Sequence, residues 1–204
     1  MIAADAFRFL IPLLILTAAS FGMGWVALGV FLLLLTSFVA FFFRNPPRTI
    51  PQDPSIIVSP ADGKVVKVDR VGNVTKVSIF LSLFNVHVNR SPIAGNIEAL
   101  DYRKGKFKAA YNHAASVENE RNTIMISDGR IKLVFVQIAG VVARRIVFWK
   151  RIGDRVEKGD LVGLIRFGSR VDILFPAGTE VTVAVGDRVR GGSSPIGVIV
   201  KKDG

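Results

Sequence analysis

The chain has no cysteine and only two histidines among its 204 residues. That excludes a disulfide framework, a thiol nucleophile and a thiolate metal site. With so few histidines no zinc ligand set is expected either, and no metal is called for. Charge is missing over a long stretch. Residues 9–43 hold no Asp, Glu, Lys or Arg, and the first 43 residues carry only Asp5 and Arg8, which cancel. The whole net charge of +11 therefore belongs to residues 44–204. Hydrophobic residues make up 50% of the chain. Such an uneven distribution excludes a disordered chain and a uniformly apolar membrane bundle. It leaves a hydrophobic membrane anchor, residues 1–44, followed by a basic globular domain, residues 45–204.

As one straight helix, Phe9–Phe43 would reach roughly 52 Å at about 1.5 Å per residue, against a hydrocarbon core of about 30 Å. Two tight helical segments broken at Gly22-Met23-Gly24 use that length better, and a single tilted span is the alternative. The run is more than twice as long as a signal-peptide core, so a retained anchor is expected. Arg8 and Arg44 flank it. By the positive-inside rule a hairpin would put both ends, and the globular domain, on the cytoplasmic face of the cell membrane. The scattered basic residues suit an anionic membrane surface. No nucleic-acid motif accompanies them, so nucleic acid is not an expected partner.

Pro46-Pro47 stops the anchor, because a helix cannot continue through paired prolines. Beyond it the chain reads as short β-rich runs: Ile56–Val58, Lys64–Val68, Val77–Phe84, Ile124–Ser127, Ile131–Ile138, Ile146–Trp149, Leu161–Arg166, Val181–Val185 and Ile196–Val200. Gly, Asp and Asn fill the gaps. A helix is conceivable only around Ala109–Glu120. The expected architecture is mainly β, a barrel or sandwich with few helices. One repeat is visible: Gly153-Asp154-Arg155-Val156-Glu157-Lys158-Gly159-Asp160 returns as Gly186-Asp187-Arg188-Val189-Arg190-Gly191-Gly192-Ser193. It predicts two tight turns around a buried valine. The unit resembles the turn-strand-turn of biotinyl/lipoyl-like barrel-sandwich domains, although no carrier lysine tip is present.

Without a thiol, a serine, threonine or lysine must serve as any nucleophile. Gly191-Gly192-Ser193-Ser194 places a hydroxyl just after a glycine carbonyl, in a backbone free to bend. In Phe84-Asn85-Val86-His87-Val88-Asn89, alternation on a strand would give an apolar face and an Asn-His-Asn face, leaving His87 available for proton transfer. His113 lies in a polar stretch with no such framing. Asp62, in Ser59-Pro60-Ala61-Asp62-Gly63, is a turn residue or the carboxylate that orients a histidine. Gln137, Arg144, Arg166 and Arg170 offer an amide and guanidinium forks that suit a phosphate.

Taken together, these segments resemble the phosphatidylserine decarboxylase family in its short, archaeal-type form. The matching pieces are Phe42-Phe43-Arg44-Asn45-Pro46, Val58-Ser59-Pro60-Ala61-Asp62-Gly63, Phe84 to Arg90, Glu118-Asn119-Glu120-Arg121-Asn122, Gln137-Ile138-Ala139-Gly140, Arg166 to Asp172, and Gly192-Ser193-Ser194. The resemblance implies a proenzyme that cuts itself between Gly192 and Ser193 into a β chain, 1–192, and an α chain, 193–204. The two chains would remain a heterodimer, open to further oligomerisation. Ser193 would become a pyruvoyl cofactor that forms a Schiff base with the substrate, with no metal. His87 would be the base and Asp62 would orient it. The implied reaction turns phosphatidylserine into phosphatidylethanolamine and carbon dioxide at the membrane. Two other classes fit the residues: a membrane-tethered, non-catalytic barrel-sandwich module, and a serine hydrolase using the same three side chains. Both predict an intact chain.

Overall fold

The computed structural model describes residues 1–105, 119–140, 145–166 and 169–200. His113, Glu118, Arg144 and most of the segment expected as a helix at 109–120 lie outside them. The chain divides into two compact units, Met1–Pro47 and Arg48–Gly204.

In the first unit a single 3-10 turn, Ala4–Ala6, leads into α1, Phe7–Gly22, and α2 is Val26–Phe42. Gly24 turns the chain between them at φ +76°, at the break predicted from Gly22-Met23-Gly24. The helices pack on each other. Their two ends are tied together by the Ala3 N–H donating to the Phe43 carbonyl at 2.9 Å and the Asn45 N–H donating to Met1 at 2.7 Å. Thr17, Ser20, Thr36 and Ser37 return their hydroxyls to carbonyls four residues back, so these four donors are satisfied within their own helices. Ala4–Gly22 is long and apolar enough, by length and composition, to cross a bilayer, and Val26–Phe42 is a shorter apolar helix. Ile15 and Leu34 remain more than 60% exposed.

The second unit is mainly β, as expected. Its strands are β1 Ile56–Val58, β2 Gly63–Val71, β3 Val74–Leu81, β4 Val88–Arg90, β5 Gly95–Arg103, β6 Arg121–Ser127, β7 Lys132–Ala139, β8 Ile146–Phe148, β9 Arg155–Val156, β10 Leu161–Ile165, β11 Ser169–Phe175, β12 Thr179–Val181, β13 Arg188–Val189 and β14 Pro195–Ile199. They form an eight-stranded sheet in the order β13-β2-β3-β11-β7-β6-β5-β9 and two three-stranded sheets, β1-β14-β12 and β4-β10-β8. All pairings are antiparallel. Alternating Val and Ile from these strands point inward. Val65, Val77, Ile79, Ile97, Ile124, Ile126, Leu133, Phe135, Val171 and Ile173 are all within 1% of full burial, each worth about 1.5–3 kcal/mol of apolar transfer.

The sheet order reads the same from both ends. β13, β2, β3 and β11 on one side correspond to β9, β5, β6 and β7 on the other, and the sheet β1-β14-β12 corresponds to β4-β10-β8. The correspondence reaches single hydrogen bonds. Ser59-Pro60 and Ser91-Pro92 exchange bonds across the centre, Arg90 N–H to Pro60 at 2.9 Å and Val58 N–H to Pro92 at 3.0 Å. The repeat seen in the sequence is thus the most legible fragment of a duplicated barrel-sandwich.

Two expectations are corrected. The strand expected through Phe84 ends at Leu81, because Asn85 Oδ1 accepts from the Ser82 N–H at 2.9 Å and its hydroxyl at 2.7 Å, closing a turn. His87 therefore does not stand on a solvated strand face. It precedes β4 and is 1% exposed. The strand expected over Val181–Val185 ends at Val181, short of the second repeat turn, which closes over Ala184 to Asp187. β5 and β11 carry interior charged residues that break the alternation, and sequence reading missed both.

Candidate active site

The two repeat units build equivalent turns. In the first, Gly153 adopts φ +92° and Gly159 φ +86°; in the second, Gly186 adopts φ +107° and Gly192 φ +77°. Val156 and Val189 are buried between them. Asp154 Oδ2 accepts from the Arg151 N–H at 2.8 Å, and Asp187 Oδ2 from the Ala184 N–H at 2.9 Å. The Gly159 N–H donates to Ser91 and the Gly192 N–H to Ser59, both at 2.8 Å.

The units diverge at one place. In the first, Asp160 Oδ2 accepts from the Glu157 N–H at 2.9 Å, and its carbonyl accepts from the Ser91 N–H at 2.8 Å. In the second, those two bonds are made by Ser194. Its Oγ accepts from the Arg190 N–H at 2.9 Å, and its carbonyl accepts from the Ser59 N–H at 2.9 Å. Ser194, not Ser193, is the counterpart of Asp160. Ser193 is an extra residue, pushed out of an otherwise duplicated turn. Its N–H and that of Ser194 share the Arg190 carbonyl, at 3.1 and 3.0 Å. The Gly192–Ser193 peptide bond lies at the start of this bulge, with Gly191 and Gly192 buried and Ser193 half-buried.

Asp62 grips the turn. Its Oδ1 accepts from the Gly191 N–H at 2.8 Å, and both carboxylate oxygens take Arg48 Nη2, at 3.0 and 2.8 Å. Asp62 and Arg48 side chains are 13% and 9% exposed, so this pair is largely dry. The counterpart of Asp62 in the other half is Ala94, which offers no acceptor. Arg90 lies between the two turns, donating from Nη1 to the Gly159 carbonyl at 2.9 Å. A side chain on Gly192 would come within 2.7 Å of Arg90 Cδ, so glycine is required here by contact as well as by φ. Burial and the like charge of Arg48 draw the Arg90 guanidinium below its ordinary pKa, while Asp62 and Asp160 pull it back up.

His87 is buried, two residues after Asn85, which lines the cleft. Its Nδ1 is 2.9 Å from the Asn85 carbonyl. A carbonyl only accepts, so Nδ1 carries the proton and a neutral ring keeps its lone pair at Nε2, the form a general base needs. The Asn85 carbonyl thus supplies the orienting contact expected of Asp62, whose carboxylate serves the turn. The open cleft in front holds about 950 Å³ and is lined by Asp62, Lys64, Phe84, Asn85, Arg190 and Ser193 among others.

Of the remaining expected residues, Gln137 is buried in an amide relay. Asn122 donates to it at 3.1 Å, and it donates to Asn89 at 2.9 Å. Arg170 is buried and paired with Asp172 at 2.9 Å. Arg166 follows β10, whose Ile165 N–H donates to the His87 carbonyl at 3.3 Å. None of these three lines the Ser193 cleft; among the described residues its cations are Lys64, Arg188 and Arg190. Sequence reading missed Arg48 and Arg90. The one available signal was that each directly follows or precedes a turn motif, at Pro47 and at Ser91.

Fold and site together define a class: an apolar helical hairpin joined to a duplicated barrel-sandwich, in which only one half carries a bulged Gly-Ser turn gripped by a buried acid. A family model described as phosphatidylserine decarboxylase matches residues 35–197. The chain is 48% identical over 186 residues to the phosphatidylserine decarboxylase proenzyme of Solibacter usitatus, covering 90% of this chain and 91% of that one. It is 48% identical over 204 residues to the proenzyme of Carboxydothermus hydrogenoformans, covering 96% and 95%. It is 40% identical over 205 residues to that of Geotalea uraniireducens, covering 97% and 96%. The chain belongs to the phosphatidylserine decarboxylase family.

Proposed function

We propose that this chain is a self-processing, membrane-anchored decarboxylase that converts phosphatidylserine to phosphatidylethanolamine and carbon dioxide. The observation that carries the reading is the extra Ser193, inserted after a left-handed glycine in a turn that its duplicate completes without it. In the first step Ser193 Oγ attacks the Gly192 carbonyl carbon, the Gly192–Ser193 C–N bond breaks, and an ester replaces the amide. Loss of the Ser193 α-proton then expels Gly192 as a carboxylate and leaves dehydroalanine. Water converts that residue to a pyruvoyl group and releases ammonia.

Each neighbour has a task in this sequence. Asp62 fixes the Gly191 N–H and the Ser59 carbonyl the Gly192 N–H upstream, while the Arg190 carbonyl takes the Ser193 N–H downstream, so the peptide bond is held on both sides while the hydroxyl approaches. His87 takes the hydroxyl proton at Nε2. β14 lies between β1 and β12, and Ile196 within it is fully buried. The twelve-residue fragment, 193–204 by the numbering, therefore stays attached through pairing on both edges.

The residues present fit a pyruvoyl group at position 193, because that position is half-buried on the wall of an open cleft, within reach of a lipid amine. Such a group supplies an electron sink for the carbanion left when carbon dioxide departs. The chain's own part is to hold the headgroup in the cleft and to return a proton, a task given to the buried His87. Arg90, beside Gly192, stands where the new carboxylate forms. The helical hairpin keeps the domain at the cell membrane, on its cytoplasmic face. The intact mass of the purified protein beside a Ser193→Ala variant tests the reading. Two fragments, the smaller one blocked at its N-terminus, with an uncut variant, support it. A wild-type chain intact at 204 residues moves the assignment to a tethered, non-catalytic barrel-sandwich.

A further inference from the structure

Lys64 stands directly opposite Arg188 in the β2–β13 pairing, and both are exposed. Arg190, two residues on, falls on the same side of the chain. Like charges directly opposite one another destabilise a strand pair. Among the described residues the only acid lining this cleft, Asp62, is already held by Arg48 and Gly191. The duplicate half has no such excess. There Asn96 stands opposite Arg155, and Arg155 pairs with Glu157 at 3.5 Å, where the reactive half has Lys64, Arg188 and Arg190. The cationic edge is therefore a property of the Ser193 side and not of the fold.

The same cleft has an apolar lip. The turn over Ser82–Val86 carries Leu83 at 40% and Phe84 at 72% exposure, and Phe84 lines the cleft with Lys64, Arg188 and Arg190. A cationic edge facing an apolar tip across one opening matches the layered chemistry of an anionic bilayer, phosphate outside and acyl chain within. We infer that this mouth docks on an anionic membrane surface. Lys64, Arg188 and Arg190 hold a lipid headgroup phosphate while Leu83 and Phe84 enter the acyl layer. The inference rests on the reading of the cleft as the site of a lipid enzyme. It adds that the headgroup reaches position 193 without its lipid leaving the bilayer.

The absence of cysteine makes a single reporter simple to place. Full-length Ser193→Ala protein bearing Leu83→Cys, labelled with a solvent-sensitive fluorophore, is reconstituted in phosphatidylcholine vesicles with or without phosphatidylglycerol. A quencher is carried on the acyl chains. The expected result is a blue-shifted, quenched label in the anionic vesicles only, reversed by high salt. An Arg155→Cys label on the duplicate half should read water in both. Each near-surface cation shifts such an equilibrium about five-fold, so Lys64→Gln with Arg188→Gln should lower docking roughly 30-fold. A label at position 83 that reads water in anionic vesicles overturns the inference. So does quenching that is the same in neutral vesicles or in the double variant. Because Ser193→Ala removes the nucleophile, the outcome is independent of self-processing, which the mass measurement decides separately.

Discussion

The two turns at 153–160 and 186–194 share their glycines, their aspartate cap, their buried valine and their bonds to a Ser-Pro turn. They differ in Ser193, which has no counterpart, in Asp62 where the other half has Ala94, and in the Arg48 that neutralises Asp62. Duplication supplied a stable frame twice. One half kept the economical Gly-Asp turn. The other accepted a residue that the frame does not need, with a buried carboxylate to hold the turn that bulges around it. Because the inert half shows what the fold requires by itself, each departure from it in the reactive half is a candidate for chemistry rather than for stability.

The comparison is broken most completely by rebuilding the inert turn. Deletion of Ser193 combined with Ser194→Asp restores the Gly-Asp pattern of Gly159-Asp160. Such a chain should fold, with a Tm close to that of Ser193→Ala, and give one uncut mass. Cleavage in that variant would remove Ser193 from the chemistry. Next in size is His87→Gln, which should slow fragment appearance by about 10²- to 10⁴-fold, the usual contribution of a positioned base. A time course by electrophoresis reads it.

Arg48→Met separates positioning from stability. It leaves Asp62 buried without its counter-charge and should cost about 3–5 kcal/mol in chemical denaturation. Adding Asp62→Leu, which makes the reactive half resemble Ala94, should restore most of that stability without restoring cleavage. If the double variant cleaves normally, Asp62 serves only the fold. The smallest effect sharpens the comparison from both sides. Gly159→Ala and Gly192→Ala each place a side chain at positive φ, costing about 1–2 kcal/mol. Both added carbons meet a side chain, Ile50 for Gly159 and Arg90 at 2.7 Å for Gly192, but only Gly192→Ala should slow processing. Equal slowing in both would mean that the turn conformation alone governs the reaction.

Much of this molecule is legible in its residues. The anchor follows from the uncharged stretch to Phe43, its break from Gly22-Met23-Gly24, and the β class from short Val- and Ile-rich runs. The Gly-Asp-Arg-Val repeat marks the two turns. The alternation around His87 suggests a strand face, whereas Asn85 turns the chain and the ring is buried. β11 was missed because Arg170 and Asp172 interrupt its apolar pattern. In the fold they pair with each other, so their burial is tolerated. Gln137 reads as a phosphate ligand in sequence and is a link in a buried amide relay in space. Lys64 and Arg188 are 124 positions apart in the numbering, and only strand pairing makes them neighbours.

Where the chain is apolar, where it turns, which residue types it offers for chemistry and, through its motifs in order, which family it belongs to can all be read along the chain. Local signals of that kind survive reading because they depend on neighbours along the chain. It takes the folded pairing to show that Ser193 is the inserted residue, that Asp62 grips Gly191 and pairs with Arg48, and that Lys64, Arg188 and Arg190 line one cleft with Ser193. Those facts depend on antiparallel register and on the pseudo-twofold pairing of distant segments. A hydrogen bond across 129 residues, from the Gly191 N–H to Asp62, leaves no trace in the spacing of either motif.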